Sequence, residues 1–347
     1  MKLILASTGS YPRSGDTPEL QVLEHTLAAA ARGEKSTFDV ADAENFMTRR
    51  AVEEQVAAGV ELLTDGQVRW RDPVSHLPGM LDGVELGAEM DFFGTGWKFH
   101  APHLRKRPER RAGQPLLLAE EYKFACNALG SISTPGDKAG RLAIKPVLTG
   151  PYTLAKLSSG EGGEMASLEG RAEGFAEVAS AELKGLAEAG AHMAQVDEPA
   201  LLHHPGDWRI FAAVWERVAA ARQSKSRGAK NLQLILHLYS ADAAPLYDQL
   251  AQLSLDVLSL DFTVSPRLAD AVSAAGSPLP LGIGCVSGAS AEPQEVSAAA
   301  RLVEKLLPKL SGPFAQLCPS CGLGMLPRRV AFARLEMLRQ IRDAVLG

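Results

Sequence analysis

Eight short apolar runs, set off by Gly, Pro and Asp and alternating with amphipathic segments, constrain this chain more than any other feature. They are Leu3–Ser7, Val60–Thr64, Ala143–Leu148, Ala191–Val196, Leu232–Leu238, Val257–Leu260, Leu279–Cys285 and Phe314–Cys318. Each is apolar on both faces, as parallel strands covered from two sides must be. Between them, Ala, Leu and Glu recur at three-to-four spacing and predict helices over Thr17–Arg32, Phe38–Ala58, Ala166–Glu188, Asp207–Arg222, Ala243–Gln252, Pro266–Ala275, Pro293–Leu310 and Arg328–Leu346. The alternation predicts an α/β fold, a (β/α)8 TIM barrel formed as one catalytic domain over residues 1–347. An open doubly wound sheet is the competing arrangement, but no Gly-x-Gly-x-x-Gly follows the first run.

Two stretches depart from the alternation. Residues 91–130 lie between the second and third predicted strands and carry Trp97-Lys98-Phe99-His100, then Arg105-Lys106-Arg107-Pro108-Glu109-Arg110-Arg111. They read as an excursion over the barrel, a hairpin with a lid-like segment that shields the site or docks a donor. Acidic residues flank the basic run, which makes it a solvated face rather than a polyanion site. The Gly-rich loop Gly160-Glu161-Gly162-Gly163-Glu164 lacks the Lys-Ser/Thr of a phosphate loop.

Charge and cysteine usage exclude several classes. With 36 basic and 41 acidic residues the net charge is −5, so neither nucleic acid nor an anionic membrane is an expected partner. No apolar run approaches the roughly 18 residues that span a bilayer, and the stretch Met1–Gly9 is too short for a secretion signal. A cytoplasmic location is expected. In a reducing compartment the four cysteines are metal ligands or core, and Cys126 and Cys285 are read as core.

In a barrel of this kind chemistry sits at the C-terminal ends of the strands. Those ends carry Ser10, Gln67, Thr149, Asp197 with Glu198, His237 with Tyr239, Asp261, Ser287, and the pair Cys318 and Cys321. His237, Asp261, Cys318 and Cys321 offer an imidazole, a carboxylate and two thiolates, a mixed set that suits Zn2+. Asp261 could instead cap a helix or pair with Arg267. A free thiol, with a pKa near 8.5, is mostly protonated at neutral pH, and zinc coordination removes that proton. Such a site would activate a substrate thiol for alkyl transfer. Asp197 and Glu198 either hold the ammonium of an amino-acid thiol or act as the acid and base of a hydrolase.

At these positions the sequence resembles the cobalamin-independent methionine synthases, in the form of their C-terminal catalytic domain or the short core enzymes of archaea and bacteria. The resemblance spans nearly the whole chain and rests on Ser7–Arg13, Leu63–Gln67, Gln195–Leu201, the histidine at 237, and Pro319–Leu323 followed by Leu326-Pro327-Arg328. It implies a (β/α)8 barrel and zinc-activated methylation of homocysteine to methionine. It implies further that His237 and Cys321 are zinc ligands and that Ser10 and Asp197 contact the amino-acid portion of the substrate. Four positions depart from the family. Tyr239 stands where a cysteine ligand is expected, and Asp261 replaces a glutamate ligand, shorter by roughly 1.5 Å. Gln67 replaces the glutamate that meets the ammonium, and Ser287-Gly288-Ala289-Ser290 lacks the histidine that helps a folate donor leave. Cys318 is the candidate to fill the coordination place that Tyr239 vacates.

The resulting expectation is zinc-dependent methyl transfer to a thiol, with homocysteine as acceptor, methionine as product, and a methylcorrinoid, free or on a carrier protein, as donor. Asp197, His237 and Cys321 are the expected catalytic residues, and Ser10, Gln67, Asp197 and Glu198 the expected substrate contacts. The expected metal ligands are His237, Asp261, Cys318 and Cys321. Two alternatives stay open: a metal-poor relative that binds methionine or homocysteine without transfer, and a metal-free acid/base enzyme on the same barrel.

Overall fold

The structure, a computed structural model, describes residues 1–133, 142–222 and 231–347. Strand β1 (Lys2–Leu5) leads through helices α1 (Val22–Ala31) and α2 (Thr37–Ala58) to the short β2 (Leu62–Leu63). The start of α2 is set by a capping box, in which the Ser36 side chain accepts from Asp39 N–H and Asp39 accepts from Ser36 N–H. Its end is a left-handed Gly59, which closes the last carbonyls at no steric cost. The chain then leaves the sheet for an antiparallel hairpin, β3 (Leu81–Asp91) and β4 (Lys98–Arg110), and returns through α3 (Leu117–Gly130).

Next come β5 (Ala143–Ile144) and β6 (Val147–Thr149), separated by Lys145 and Pro146, then α4 (Pro151–Lys156), β7 (Ser159–Gly160) and α5 (Leu168–Glu188). The regular repeat resumes with β8 (Met193–Asp197), α6 (Pro199–His203), α7 (Trp208–Ala221), β9 (Gln233–Leu238), α8 (Tyr247–Leu250) and β10 (Val257–Asp261). It finishes with α9 (Leu268–Ala275), β11 (Leu281–Val286), α10 (Val296–Leu306), β12 (Phe314–Pro319) and α11 (Arg328–Leu346). All eight predicted strands are present within a few residues of their expected limits.

These strands make an α/β fold on a parallel sheet, in the order β1-β12-β11-β10-β9-β8-β6, with β2 and β5 paired in a sheet of their own. Hydrogen bonds run between the two sheets: Ser7 N–H donates to Leu62 O at 2.9 Å and Glu61 N–H to Leu5 O at 2.8 Å, around the parallel bridge Ala6↔Leu62. Alternation along each strand sorts side chains onto two buried faces. One face, with Leu3, Leu5, Leu63, Leu234, Leu236, Leu258, Leu260, Ile283 and Leu317, joins the main core beneath the helices. On the other, Ile4, Ala6, Leu62, Ala143, Met193 and Cys318 form a separate small cluster.

The excursion differs from its expected limits. Its strands span residues 81–110 rather than beginning at 91, and residues 117–130 are a helix whose Leu118 and Ala125 belong to the main core. The charge density of this stretch masked the helical spacing of its last third. The basic run is a paired, solvated face: Arg105 meets Glu85 and Glu161, Arg107 meets Glu164 and Glu177, and Arg111 meets Asp82. The hairpin packs Phe99 and Leu104 against Leu154, Met165 and Phe175. Its tip, Phe92–Trp97, therefore stands over the C-terminal ends of the sheet strands. Among the described residues no helix is long and apolar enough to cross a membrane.

Candidate functional site

The ends of β8, β9, β10 and β12 surround a cavity of about 90 Å³, roofed by Phe92, Thr95 and Trp97 of the hairpin tip. Five of the expected site residues line it: Ser10, Gln67, Asp197, Asp261 and Cys321. Its remaining polar wall is Thr8, Tyr239 and Ser240, and its apolar wall includes Pro73, Val264, Ala289 and Met325. No lysine or arginine is among the lining residues, although two carboxylates are. An open cleft of about 490 Å³ adjoins the cavity and shares Ser10, Gln67, Pro73, Trp97 and Met325 with it.

Each wall is held by identifiable contacts. Ser10 Oγ accepts from Gly324 N–H at 3.2 Å, and Gly322 comes so near that a Cβ there would lie 2.3 Å from Ser10 Oγ. Only glycine lets the segment after β12 close against the segment after β1. Gln67 has φ 48° and Ser240 φ 70°, left-handed values that cost a side-chain-bearing residue energy. Both are fixed from outside: Gln67 N–H donates to Asp65 Oδ1 at 3.0 Å, and Ser240 Oγ meets His203 Nε2 at 3.0 Å. His203 in turn stacks on Phe93 with ring centroids 4.3 Å apart, which ties the hairpin tip to the end of β9.

Asp197 and Glu198, neighbours in sequence, part company. Asp197 faces the cavity and accepts from Gln195 Nε2 at 2.7 Å. Burial pushes its carboxyl up to about 7, an effect that the Gln195 hydrogen bond and the charge of Lys145 partly offset. Glu198 does not reach the cavity. It accepts from the backbone N–H groups of Tyr152 at 3.0 Å and Thr153 at 2.7 Å, and packs so tightly on Gly150 that a Cβ there would lie 2.1 Å from its carboxyl carbon. Its carboxyl is also pushed up to about 7 by burial. The expected substrate contact through Glu198 is therefore corrected, because the start of α4 takes both of its oxygens.

The four residues expected to bind zinc fall into two pairs: Asp261 and Cys321 share the cavity, while His237 and Cys318 meet Ser259. Cys318 lies on the sheet face shared with Ala6 and Leu62, its Sγ 3.8 Å from Ser259 Oγ. Cys321 follows the end of β12 at Pro319 and faces the cavity, so the strand's end sends the two sulfurs to different places. His237 is fully buried outside the cavity lining, with Nδ1 2.9 Å from Ser259 Oγ and Nε2 without a partner. Asp261 accepts from Thr263 N–H at 2.8 Å and Thr263 Oγ1 at 2.6 Å, while Arg267 pairs instead with Asp242. Tyr239 lies against His237, ring centroids 5.1 Å apart, and burial with the charges of Asp197 and Cys321 holds its phenol protonated.

Protonation in this region follows from burial. His237 is pushed down to about 3 by desolvation and the Lys145 charge, which leaves a neutral imidazole. Cys318 is pushed up to about 11 by burial, and Cys321 up to about 12 by burial and then Asp261. Zinc would itself remove a thiol proton, so geometry decides: tetrahedral zinc needs donors converging to about 2.0–2.3 Å. Among the described residues no group of three or more His, Cys, Asp or Glu side chains could hold a metal ion. The orphaned His237 Nε2 is a donor without companions, because a tyrosine stands where a second thiolate would be needed. This donor set does not fit zinc.

Lys145 was not singled out in the sequence; Tyr239 was, at the place of a cysteine ligand, though not as a wall of the cavity. Tyr239 and Ser240 adjoin His237 and were legible as strand-end residues. Residues 91–130 were expected as a segment that shields the site, but the tip lies more than 100 residues away in sequence from most of what it covers, and no local signal picks out Phe92, Thr95 and Trp97 within it.

Comparison with known proteins gives the family. The family described as the catalytic domain of cobalamin-independent synthase matches residues 3–344. A methionine synthase of Saccharolobus solfataricus is 26% identical over 332 residues, covering 94% of this chain and 90% of the relative. One from Methanothermobacter marburgensis is 26% identical over 340 residues, covering 96% and 97%. Among solved structures, a B12-independent methionine synthase of Shewanella sp. W3-18-1, in complex with selenomethionine, superposes with a TM-score of 0.73 at 19% identity and 98% coverage of both chains. A putative vitamin-B12 independent methionine synthase of Listeria monocytogenes gives 0.71 at 17% identity and 99% coverage of both. At these identities the structures speak for the fold alone. The methylcorrinoid donor expected from sequence is corrected here, since the family and both structures are described as cobalamin- or B12-independent.

Proposed function

The chain belongs to the cobalamin-independent synthase catalytic-domain family, and from that membership we propose methyl transfer to the thiol of a sulfur amino acid, homocysteine being the acceptor and methionine the product. The observation that carries the reading is the charge of the 90 Å³ cavity, which faces Asp197 and Asp261 inward with no basic side chain in its lining. A carboxylate pair in a half-apolar cavity lacks a cation, and an α-ammonium group supplies one. In the same reading the parallel strands form the eight-stranded barrel of the family, the whole chain is one catalytic unit, and the hairpin tip is its lid.

The chain's own residues bind and orient. Asp197 takes the α-ammonium, with Ser10 and Gln67 beside it for the rest of the amino-acid head. The side chain runs past Pro73 and Met325, and its sulfur reaches the end of the cavity walled by Tyr239, Asp261 and Cys321. There the S–H points to the Asp261 carboxylate as hydrogen-bond acceptor. As the S–CH3 bond forms, the S–H bond breaks and its proton passes to the Asp261 carboxylate, while the donor departs with the electron pair that held its methyl group. The adjoining 490 Å³ cleft gives the donor room to bring that carbon in line. Zinc, which the family resemblance implies, is not used in this account, because the donor set does not fit it.

The test is to supply L-homocysteine with a methyl-bearing reduced folate or with methylcobalamin, quantify methionine, and measure zinc in the same preparation by elemental analysis. Methionine from the folate without stoichiometric zinc supports the reading. A second reading, binding of the amino acid without transfer, is favoured by Tyr239 standing among the expected ligands, and binding with no turnover from either donor would establish it. Neither binding nor turnover would overturn both.

A further inference from the structure

Behind Asp197 lies a buried ammonium that, among the described residues, has no carboxylate in ion-pair contact. Lys145, between β5 and β6, is 1% exposed, and its side chain donates to Oε1 of Gln195, itself 0% exposed. Gln195 Nε2 then donates to Asp197 Oδ1 at 2.7 Å and to Thr8 O at 2.8 Å. Every hydrogen-bonding atom of this amide is engaged, and in one sense only. A flip about the terminal amide bond would set its nitrogen against the ammonium and its oxygen against both the Asp197 carboxylate and a carbonyl. All three attractive contacts would become repulsive, so the cation and the Thr8 carbonyl together fix which end of the amide Asp197 meets.

A buried charge is costly unless something in the structure uses it. Lys145 is not needed to fill space, because a methionine would pack an apolar interior of this size without the charge. We propose that Lys145 is a positioning residue for Asp197, acting through Gln195 to hold the carboxylate in the orientation that receives the ligand's ammonium. The inference rests on the reading of the cavity as an amino-acid site and adds the device that aims its anchor. The polarity of the relay runs one way, from cation through amide to carboxylate. Asp197 therefore has one oxygen occupied from behind and the other free for the ligand.

The experiment compares L-methionine with its desamino analogue 4-(methylthio)butanoate, by calorimetric titration of wild type, Lys145→Met and the double variant Lys145→Met/Asp197→Asn. Loss of the relay weakens L-methionine about tenfold in Lys145→Met, leaves the desamino analogue unchanged, and adds nothing further once Asp197 is Asn. Equal weakening of both ligands would show a merely structural lysine, and unchanged binding of both would overturn the proposal while leaving the amino-acid site intact. Wild type that fails to bind L-methionine would overturn the site and the relay together. Should Lys145→Met not fold, wild type labelled with 15N at lysine Nζ gives the same decision. A buried ammonium resonance that shifts with L-methionine and not with the analogue supports the relay, and one that ignores both refutes it.

Discussion

The two faces of the parallel sheet are equally buried and chemically opposite. Toward the helices the strands present Leu234, Leu236, Leu258, Leu260, Ile283 and Leu317; toward one another they present Lys145, Gln195, His237, Ser259 and Cys318. The first face is generic, in that any apolar side chains of suitable volume hold helices to a sheet. The second is specific, because each polar group needs a named partner in a place without water. The difference separates what stabilises the molecule from what gives it a site. Only the specific face ends at the cavity.

Substitutions that break this contrast should do so unequally. The largest effect belongs to the apolar face: Leu236→Ala is expected to cost about 2–5 kcal/mol in urea unfolding, with ligand preference unchanged in the folded fraction. A loss below about 1 kcal/mol would mean that the two faces are not distinct in their energetics. At the cavity, Asp197→Asn is expected to weaken L-methionine at least tenfold, about 1.4 kcal/mol. Equal affinity in that variant would remove Asp197 from the ligand.

The pH dependence tests the same pair of faces. Asp197 and Glu198 both have carboxyls pushed up to about 7 in the folded protein, against roughly 4 in an unfolded chain. Between those values the folded state holds protons that the unfolded chain has lost. Stability from this source is therefore full below about pH 4 and is lost as pH rises through 7. Denaturation from pH 4 to pH 8 should show the decline, and Glu198→Gln should flatten its share, roughly 3 kcal/mol. A rise over the same window would contradict the burial of these groups. Cys318→Ser is expected to be smaller still, about 1 kcal/mol or less, with no change in zinc content, since its sulfur packs in the small cluster with Ala6 and Leu62 and meets Ser259 Oγ. A drop in bound zinc would place Cys318 at a metal after all.

The sequence showed the apolar face well and the polar face poorly, for a physical reason. Two-sided apolar runs need only composition and spacing, so all eight strands and most helices were legible. The polar face depends on pairings across the sheet. Gln195 was visible as part of a motif, yet its partner Lys145 lies 50 residues earlier and reads in isolation as a break between two short strands. Asp197 and Glu198 were indistinguishable as neighbouring acids until Gly150 and the backbone of α4 claimed Glu198. Cys318 and Cys321 suggested a ligand pair by their spacing, and the end of β12 divided them. Ser10, Gln67, Asp197, Asp261 and Cys321 were legible as strand-end residues, and they line one cavity because the C-terminal ends of parallel strands lie on one side of the sheet.

The central claim is that the cavity recognises a sulfur amino acid with the chain's own residues and no metal. Titration of L-methionine into chelator-treated protein, followed by calorimetry, addresses it directly. Saturation at one ligand per chain is expected, with affinity weakened at least tenfold in Asp197→Asn. Silence in the stripped protein, with binding restored only by a stoichiometric addition of zinc, would contradict it.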